Sequence, residues 1–206
     1  MKRLLLVLLL SVLLLIPYQP DTDWTRIVPL LRASSLPMTC NLHGKAMCTA
    51  FSINEERGIF LTAKHCIDEY TSDEGQQEHS LLYHQPYTVL LSNEDLDIAI
   101  LVSKRHARPA LRPRRASLSV GEPVATYGYG YGLNQPTFRT SNISLLSTSK
   151  NPYATHLDNA IIPGMSGGPV VDSRGQLVGV NTQTNLVSGL ATTIDHILQA
   201  TTFWGR

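Results

Sequence analysis

Short apolar runs separated by turn residues occupy most of the chain beyond residue 40. The runs are rich in Val, Ile, Thr and Tyr, and Gly, Asn, Asp and Pro lie between them. This spacing is typical of an all-β sandwich or barrel. It predicts strands within residues 48–53, 58–63, 87–92, 97–102, 123–130, 142–148 and 168–183.

Two local patterns refine this prediction. The segment "VVDSRGQLVGV" predicts a hairpin that turns at Asp172 to Gly175. Only "TTIDHILQATT", near the end of the sequence, has a helical pattern, and we expect a short C-terminal helix there. A chain of 206 residues is long enough for one domain, or for two small lobes that share an interface.

The first residues differ from the rest of the chain. "MKRLLLVLLLSVLLLIP" begins with basic residues and continues as an apolar run from Leu4 to Ile16. The run is shorter than the roughly 20 residues that span a bilayer, and it suits a signal peptide. No small-x-small cleavage pattern follows directly. Residues 1–24 are therefore predicted to be a signal peptide or an uncleaved membrane anchor, and the protein is predicted to be exported, either periplasmic or secreted.

Composition adds one local feature. The chain is 43% hydrophobic and 16% charged with a net charge of +1, which is ordinary for a globular protein and indicates no class of partner. Six Lys/Arg residues are concentrated in "KRHARPALRPRR", Lys104 to Arg115. We interpret this segment as an exposed connector; contact with an anionic surface and proteolytic nicking are the alternatives. No aromatic residues interleave with the arginines, so nucleic-acid binding is not expected.

A small nucleophile, Ser166, lies among glycines in "IIPGMSGGPVV". A serine hydroxyl attacks a carbonyl only when a hydrogen-bonded base activates it. Backbone N–H donors must also stabilise the oxyanion that forms. The glycines permit a tight turn, and the N–H groups of Gly164 and Ser166 are predicted to be these donors. A serine flanked by glycines is by itself more often a plain turn.

His65 and Asp97 are the candidate partners of this serine. His65 ends the apolar run "IFLTAKHC", and Asp97 precedes the apolar run "IAIL". Each residue alone is compatible with a structural role. The set is more specific, because a base, an orienting acid and a nucleophile occur together.

These segments resemble a known family. "FLTAKHC", "DIAIL" and "PGMSGGPVV" resemble the three catalytic blocks of trypsin-like (chymotrypsin-fold) serine proteases, and they occur in that family's order. "LDNAIIPGMSGGPVVDSRGQLVGVNT" is similar to HtrA-type proteases, and Lys64 before the histidine is similar to V8-like glutamyl endopeptidases. The resemblance covers about residues 44–198. No PDZ domains are expected after it.

The resemblance implies an all-β fold of two packed six-stranded antiparallel β-barrels with a short C-terminal helix. The protease domain would cover residues 25–206, with the first barrel at about 40–103, the connector at 104–118 and the second barrel at about 119–206. His65 would be the general base, Asp97 would orient it, and Ser166 would form the acyl-enzyme. The substrate would be a protein or peptide, and no cofactor or metal is expected.

The resemblance also implies a specificity pocket and a disulfide. Substrate-binding positions would be Ala160, Val180, Asn181 and Thr182. No acidic residue occupies the pocket-base position near Ala160, so small or medium aliphatic side chains are predicted at the primary site, with glutamate left open because Thr and His residues such as His156 lie nearby. Cys48 is implied to pair with Cys66, which leaves Cys40 over. Met165 stands where trypsin and chymotrypsin have an aspartate, so no zymogen ion pair is expected.

Other readings remain open. A catalytically silent trypsin-like domain could act as a membrane-associated binding module, and a structural envelope protein is a weaker alternative. The acidic segment "IDEYTSDEGQQEH" is interpreted as a solvated loop, because it lacks the ligand spacing of a known calcium loop. The sequence does not indicate the oligomeric state.

Overall fold

A computed structural model describes residues 22–40, 46–68, 70–71, 77–78, 80–133, 135–146, 154–184 and 188–200. Residues 1–21 of the predicted signal peptide or anchor lie outside these ranges, as does most of the acidic segment 67–79. Within the described ranges, no helix has the length and apolar character needed to cross a membrane.

Strands account for most of the regular structure, and two helices flank them. Helix α1 is Val28–Ser34 and helix α2 is Ile194–Ala200. The strands are β1 (Ser35–Cys40), β2 (Ala46–Asn54), β3 (Ile59–Thr62), β4 (Tyr70–Thr71), β5 (Gln77–Glu78), β6 (Ser80–Leu82), β7 (Thr88–Asn93), β8 (Ile98–Val102), β9 (Pro123–Gly128), β10 (Thr137–Leu145), β11 (Ala154–Leu157), β12 (Pro169–Asp172), β13 (Leu177–Thr184) and β14 (Gly189–Thr193).

Twelve of the strands form two six-stranded antiparallel sheets, and β4 and β5 form a separate two-stranded sheet. The first six-stranded sheet has the order β6-β1-β2-β3-β8-β7, and the second is a closed barrel with the order β10-β11-β14-β13-β12-β9. The all-β class with two six-stranded antiparallel sheets and a short C-terminal helix is therefore confirmed. Only the second sheet closes by hydrogen bonding among the described residues, so the first is a half-barrel. The hairpin predicted at Asp172 to Gly175 joins β12 to β13, and its turn closes through the Gly175 N–H, which donates to the Asp172 carbonyl at 2.9 Å.

The largest hydrophobic core lies between the two sheets. Phe51 and Ile98 of the first sheet belong to the same buried cluster as Tyr127 and Val180 of the second. Burial of each such side chain contributes about 1.5–3 kcal/mol. The two lobes therefore share one core, which fixes the position of any residue that projects between them.

Helix α1 was not predicted from the sequence. Pro29 lies in the first turn of this helix, where backbone N–H groups have no acceptor within the helix, so the missing proline N–H removes no helical hydrogen bond. Ile27 and Leu31, four positions apart, place apolar side chains on one face, and both are buried in the shared core. The helix is only seven residues long, so its stability depends on this packing more than on helix propensity.

The connector prediction was wrong in part. Leu111, in the middle of the segment Lys104 to Arg115, is only 1% exposed. Its N–H donates to the Ser52 carbonyl at 3.0 Å, and the Ser52 hydroxyl donates to the Arg108 carbonyl at 2.8 Å. The proline-rich composition indicated exposure, but the segment is bonded to the first sheet.

The end of the connector is bonded to the second sheet. The Arg114 guanidinium pairs with Glu122 and lies 3.5 Å from a carboxylate oxygen of Asp172, and its side chain is only 14% exposed. The Arg114 N–H also donates to the Leu177 carbonyl at 2.9 Å. Attachment at both ends makes the connector part of the interface between the lobes.

Candidate active site

His65 and Asp97 form a two-point contact. The His65 ring Nδ1 lies 2.8 Å from one Asp97 carboxylate oxygen, and the His65 backbone N–H donates to the other at 3.0 Å. An ionised carboxylate only accepts hydrogen bonds, so the ring carries its proton on Nδ1 and leaves Nε2 as an acceptor. The His65 side chain is 44% exposed and that of Asp97 20%. The imidazole is thus fixed in orientation and open on its Nε2 side.

The Asp97 backbone is unusual. Its φ of 49° lies in the left-handed region, which costs a residue with a Cβ roughly 1–2 kcal/mol. The Asp97 N–H donates to the Glu94 carbonyl at 3.1 Å, and the Asp97 carbonyl accepts from the Lys64 N–H at 3.1 Å. The Asn93 side chain accepts from the Leu96 N–H at 2.9 Å. These bonds hold the turn in the conformation that presents the carboxylate to the histidine.

Cys48 and Cys66 form a disulfide directly beside this pair. It is the pairing that the family resemblance implies, and both residues are buried. Sγ of Cys66 lies 3.7 Å from the Ser166 carbonyl oxygen; because a disulfide sulfur carries no proton, this is a packing contact. The disulfide thereby connects the histidine turn with the serine loop.

The loop around Ser166 has two glycines with positive φ. Gly164 has φ of 94° and Gly167 has φ of 77°. A Cβ on Gly164 would lie 2.3 Å from the Tyr129 carbonyl oxygen, and a Cβ on Gly167 would lie 2.3 Å from the Thr49 carbonyl oxygen. Both positions therefore require glycine, for conformation and for space.

The backbone N–H groups of this loop alternate in their bonding. The Met165 N–H donates inward to the Ile162 carbonyl at 3.0 Å. The N–H groups on either side, of Gly164 and Ser166, have no hydrogen-bond partner within the described part of the chain. These are the two donors that the sequence predicted for an oxyanion. Their role remains a prediction.

Met165 points away from the cleft. It has no exposed surface and packs in an apolar cluster of the second barrel with Ile161 and Val170. A buried apolar side chain therefore occupies the position where a zymogen-activated enzyme needs a charged residue for its ion pair. This agrees with the expectation that no zymogen ion pair forms.

No hydrogen bond joins His65 to the Ser166 hydroxyl in the described part of the chain; the two residues are linked through Cys66, next to His65, whose Sγ lies 3.7 Å from the Ser166 carbonyl oxygen. A cavity of about 630 Å³ lies on the His65 side and is lined by Lys64, His65, Asp68, Glu94, Asp97, Thr182, Gln183 and Thr184. Catalytic hydrogen bonds are often long in unliganded enzymes and shorten when substrate binds. The arrangement offers an oriented base in the first lobe and, on the serine loop of the second lobe, a hydroxyl and two free amide donors.

The predicted substrate-binding residues divide into two groups. Ala160 is half-buried, and Thr182 lines the cavity beside His65. Asn181 is fully buried, and its side-chain amide donates to the Met165 carbonyl at 3.3 Å. Val180 has no exposed surface and packs in the shared core. The side chains of Asn181 and Val180 are therefore buried in this structure, and the substrate-binding role of all four residues stays a prediction.

Two threonines form hydrogen bonds across the lobe interface at this site. Neither was singled out from the sequence. Thr49 of β2 donates through its hydroxyl to the Gly164 carbonyl at 2.9 Å. Thr192 of β14 donates in the opposite direction, to the Leu96 carbonyl at 2.7 Å. Both are buried polar residues in otherwise apolar strands. A threonine at a buried strand position could have drawn attention, because its hydroxyl needs a hydrogen-bond partner and none is obvious locally. The partner itself cannot be identified from the sequence.

One group of metal-ligating residue types occurs in the described residues. Ligand atoms of Cys48, His65 and Cys66 lie within 4.8 Å of one another. Both sulfurs are committed to the disulfide, and metal binding by cysteine requires the thiolate. This group therefore does not constitute a metal site.

The sequence is similar to a known peptidase family. Residues 48–180 match the family described as "Trypsin-like peptidase domain". Protease Do-like 1, chloroplastic, of Arabidopsis thaliana is 34% identical over 124 residues, which cover 55% of this chain and 28% of the relative. A probable periplasmic serine endoprotease DegP-like of Chlamydia pneumoniae is 30% identical over 152 residues, which cover 68% of this chain and 29% of the relative. The chain spans less than a third of the length of these relatives.

Solved structures of the same kind share the fold. The HtrA-type protease AlgW with tripeptide superposes with a TM-score of 0.67 at 21% identity, over 86% of this chain and 62% of that one. The crystal structure of Deg5 gives a TM-score of 0.64 at 21% identity, over 88% of this chain and 94% of that one. The resemblance to trypsin-like proteases, closest to the HtrA-type branch, is confirmed.

Proposed function

This chain belongs to the family of trypsin-like peptidase domains, and we propose that it is a serine endopeptidase with Ser166 as nucleophile, His65 as base and Asp97 as the group that orients the base. Family membership and the DegP-like relatives support peptide-bond hydrolysis. The observation that carries the proposal is the two-point contact of Asp97 with His65, which engages Nδ1 and leaves Nε2 without a hydrogen-bond partner among the described residues, on a side chain that lines the cavity.

The proposed reaction proceeds in two halves. The Ser166 hydroxyl proton passes to His65 Nε2 as Oγ bonds to the scissile carbonyl carbon. The carbonyl electron pair moves to oxygen, and the N–H groups of Gly164 and Ser166 stabilise this oxyanion by about 3 kcal/mol per donor. When the oxyanion collapses, the C–N bond breaks, and His65 returns the proton to the leaving amine. Water then adds to the acyl-enzyme by the same route and releases the acid.

Labelling with a fluorophosphonate tests this proposal. The reagent phosphonylates only an activated serine, so wild-type protein should label and the variants Ser166→Ala and His65→Ala should not. A folded wild-type protein that fails to label would overturn the hydrolase proposal. That result would instead favour the silent binding module, whose partner would then be sought by affinity capture.

We propose small or medium aliphatic residues at the primary specificity position. Ile161 is 4% exposed, and its Cγ1 atom would lie 2.5 Å from a Cβ on Gly189. The segment that includes Ala160 and Ile161 is thus apolar and closely packed. The nearest acidic residue in sequence, Asp158, already accepts hydrogen bonds from Ser141 and Asn142, so its carboxylate is engaged within the second barrel and does not stand free to pair with Arg or Lys. A peptide library should show cleavage after Ala, Val or related residues; cleavage after Glu, Arg or Lys would contradict this.

Export is proposed on two grounds. The names of the DegP-like relatives describe them as periplasmic, and a buried disulfide forms most readily in an oxidising compartment. The mass of the mature protein, purified from its native host, would show whether residues 1–24 are removed. Retention of the whole segment would favour the anchored form, and a cytoplasmic protein with reduced Cys48 and Cys66 would contradict export.

A further inference from the structure

Thr49 connects the first lobe to the second by three hydrogen bonds, two of which reach the serine loop. It lies in β2 directly after Cys48 and has no exposed surface. Its hydroxyl donates to the Gly164 carbonyl at 2.9 Å and accepts from the Tyr129 N–H at 2.9 Å. Its backbone N–H donates to the Ser166 carbonyl at 2.8 Å. One residue thus holds the carbonyls of both residues whose N–H groups are the proposed oxyanion donors.

The Thr49 hydroxyl cannot be replaced by water without rearrangement. It has one proton and uses it on the Gly164 carbonyl, while one of its lone pairs is used by the Tyr129 N–H. All of these atoms are buried. A Cβ on Gly128 would lie 2.6 Å from Thr49 Oγ1, so the space around the hydroxyl is already filled. Loss of the hydroxyl leaves one buried acceptor and one buried donor without a partner.

The serine loop requires this external support because of its own composition. Gly164 must lack a Cβ, since one would meet the Tyr129 carbonyl oxygen at 2.3 Å. A residue without a Cβ also has access to many other φ and ψ values. Steric restriction therefore does not select the conformation with φ of 94°. Hydrogen bonds restrict it instead: the Thr49 hydroxyl bonds to the Gly164 carbonyl and the Met165 N–H bonds to Ile162, and the two together fix the plane of the peptide that joins Gly164 to Met165.

We propose that the Thr49 hydroxyl is a positioning group for the oxyanion-binding loop. The Gly164 carbonyl belongs to the peptide that lies between the two donor peptides, Pro163–Gly164 and Met165–Ser166. By holding this peptide from the lobe interface, the Thr49 hydroxyl limits the directions that the Gly164 and Ser166 N–H groups can take. Thr49 touches neither substrate nor the reacting atoms and acts through the loop. This inference rests on the proposed function and adds to it a requirement that both lobes be docked for transition-state stabilisation.

The test compares two substitutions at position 49 with a matched control. Thr49→Val removes the hydroxyl at constant shape, and Thr49→Ser retains it. Thr155→Val is the control, because Thr155 is 1% exposed and its hydroxyl has no partner among the described residues. Each protein is assayed for the rate constant and the final extent of fluorophosphonate labelling, for kcat and KM on a cleaved peptide, and for inhibition by the corresponding peptide aldehyde.

We expect Thr49→Val to reduce the labelling rate constant and kcat by about tenfold to a hundredfold, with KM changed by less than about threefold. Aldehyde affinity should fall with kcat, because the aldehyde adduct places an oxyanion in the same site. Thr49→Ser should restore most of the rate, and Thr155→Val should match wild type. A purely structural role would instead lower the extent of labelling, in proportion to unfolded protein, and leave its rate constant unchanged.

The outcomes separate this inference from the proposed function. Failure of wild-type protein to label would overturn the proposed function. Labelling of wild type together with a wild-type rate constant for folded Thr49→Val would overturn only the role of Thr49. If Thr49→Val does not fold, Thr49→Ala, which introduces no new methyl group next to Gly128, is measured on its folded fraction under the same criteria.

Discussion

Two regions of the molecule differ in how their backbone presents a functional group: the Asp97 turn (residues 93–97) and the serine loop (residues 161–168). Each presents a functional group from a backbone with positive φ, at Asp97 in the first case and at Gly164 and Gly167 in the second. The turn keeps a side chain in the left-handed region because the carboxylate is needed there. The loop uses glycines, because its backbone N–H groups are what it presents.

The two regions also differ in what holds them. The Asp97 turn is bonded mainly within its own lobe, through Asn93, Glu94 and Lys64. Within itself the serine loop has the Met165 and Gly168 N–H bonds, and Tyr131 and Asn181 of its own lobe bond to it as well. Thr49 of the opposite lobe adds bonds to its Gly164 and Ser166 carbonyls. Under the proposed function, the base and its acid are preorganised within the first lobe, whereas the oxyanion donors depend in part on docking of the two lobes.

The largest effect is expected at Asp97. Asp97→Asn should lower kcat by about 10⁴-fold, because an amide can stabilise the wrong His65 tautomer. Asparagine tolerates the left-handed region, so the melting temperature should change little. Peptide hydrolysis and a thermal melt check both parts. A variant that loses activity only in proportion to lost folding would show that the carboxylate acts through backbone structure and not on the imidazole.

Gly167→Ala should have the next largest effect, on folding itself. The new Cβ would meet the Thr62 hydroxyl at 2.2 Å and the Thr49 carbonyl at 2.3 Å, both in the opposite lobe. Gly121→Ala is the matched control, with φ of 83° and nothing within 4 Å of the new atom. Urea unfolding should show a loss of about 1–2 kcal/mol for Gly121→Ala from backbone strain alone, and a clearly larger loss for Gly167→Ala. Equal losses would mean that the loop is not confined by the interface.

Thr192→Val removes the hydrogen bond that crosses the lobe interface in the opposite direction, from Thr192 of the second lobe to Leu96 of the first. It leaves the buried Leu96 carbonyl without its 2.7 Å partner, which should cost about 1–3 kcal/mol of unfolding free energy. Because the Asp97 turn has its own local bonds, the labelling rate constant should stay within about threefold of wild type, well above that of Thr49→Val. A rate as low as that of Thr49→Val would remove the difference between the two regions.

The smallest effect is expected at Lys64. Its Nζ lies 2.9 Å from Asp68 and 3.0 Å from Glu94, and hydrogen bonds to Asp68 first and then to Glu94 raise the pKa of the ammonium. A raised folded-state pKa contributes stability that is present at neutral pH and is lost only as the pH rises through that value. Exposed pairs of this kind contribute little. Lys64→Met should therefore lower the melting temperature slightly at neutral pH, and the difference should vanish in strong alkali or high salt; a difference that persists there would indicate a packing role.

Residues with a local signature were predictable. A histidine at the end of a strand, an aspartate at the head of a strand and a serine among glycines each follow from short stretches of sequence, and their order supplied the family. The hairpin at Asp172 to Gly175 was predictable for the same reason, since its turn residues bond to one another. By contrast, helix α1 and the buried Leu111 were missed, because both depend on surfaces that the two sheets offer only when packed together.

The sequence by itself determined the strand pattern, the glycines of the serine loop and the identities of the three candidate catalytic residues, because local backbone preference and short-range spacing encode them. Tertiary structure alone decided that Thr49 meets Gly164, 115 positions away, and that Thr192 meets Leu96, 96 positions away. The sequence of a strand does not indicate which residue a threonine hydroxyl in that strand will bond to. The partner is set by how the two sheets pack around their shared core, and that packing brings the serine loop against Thr49 and Cys66 of the first lobe.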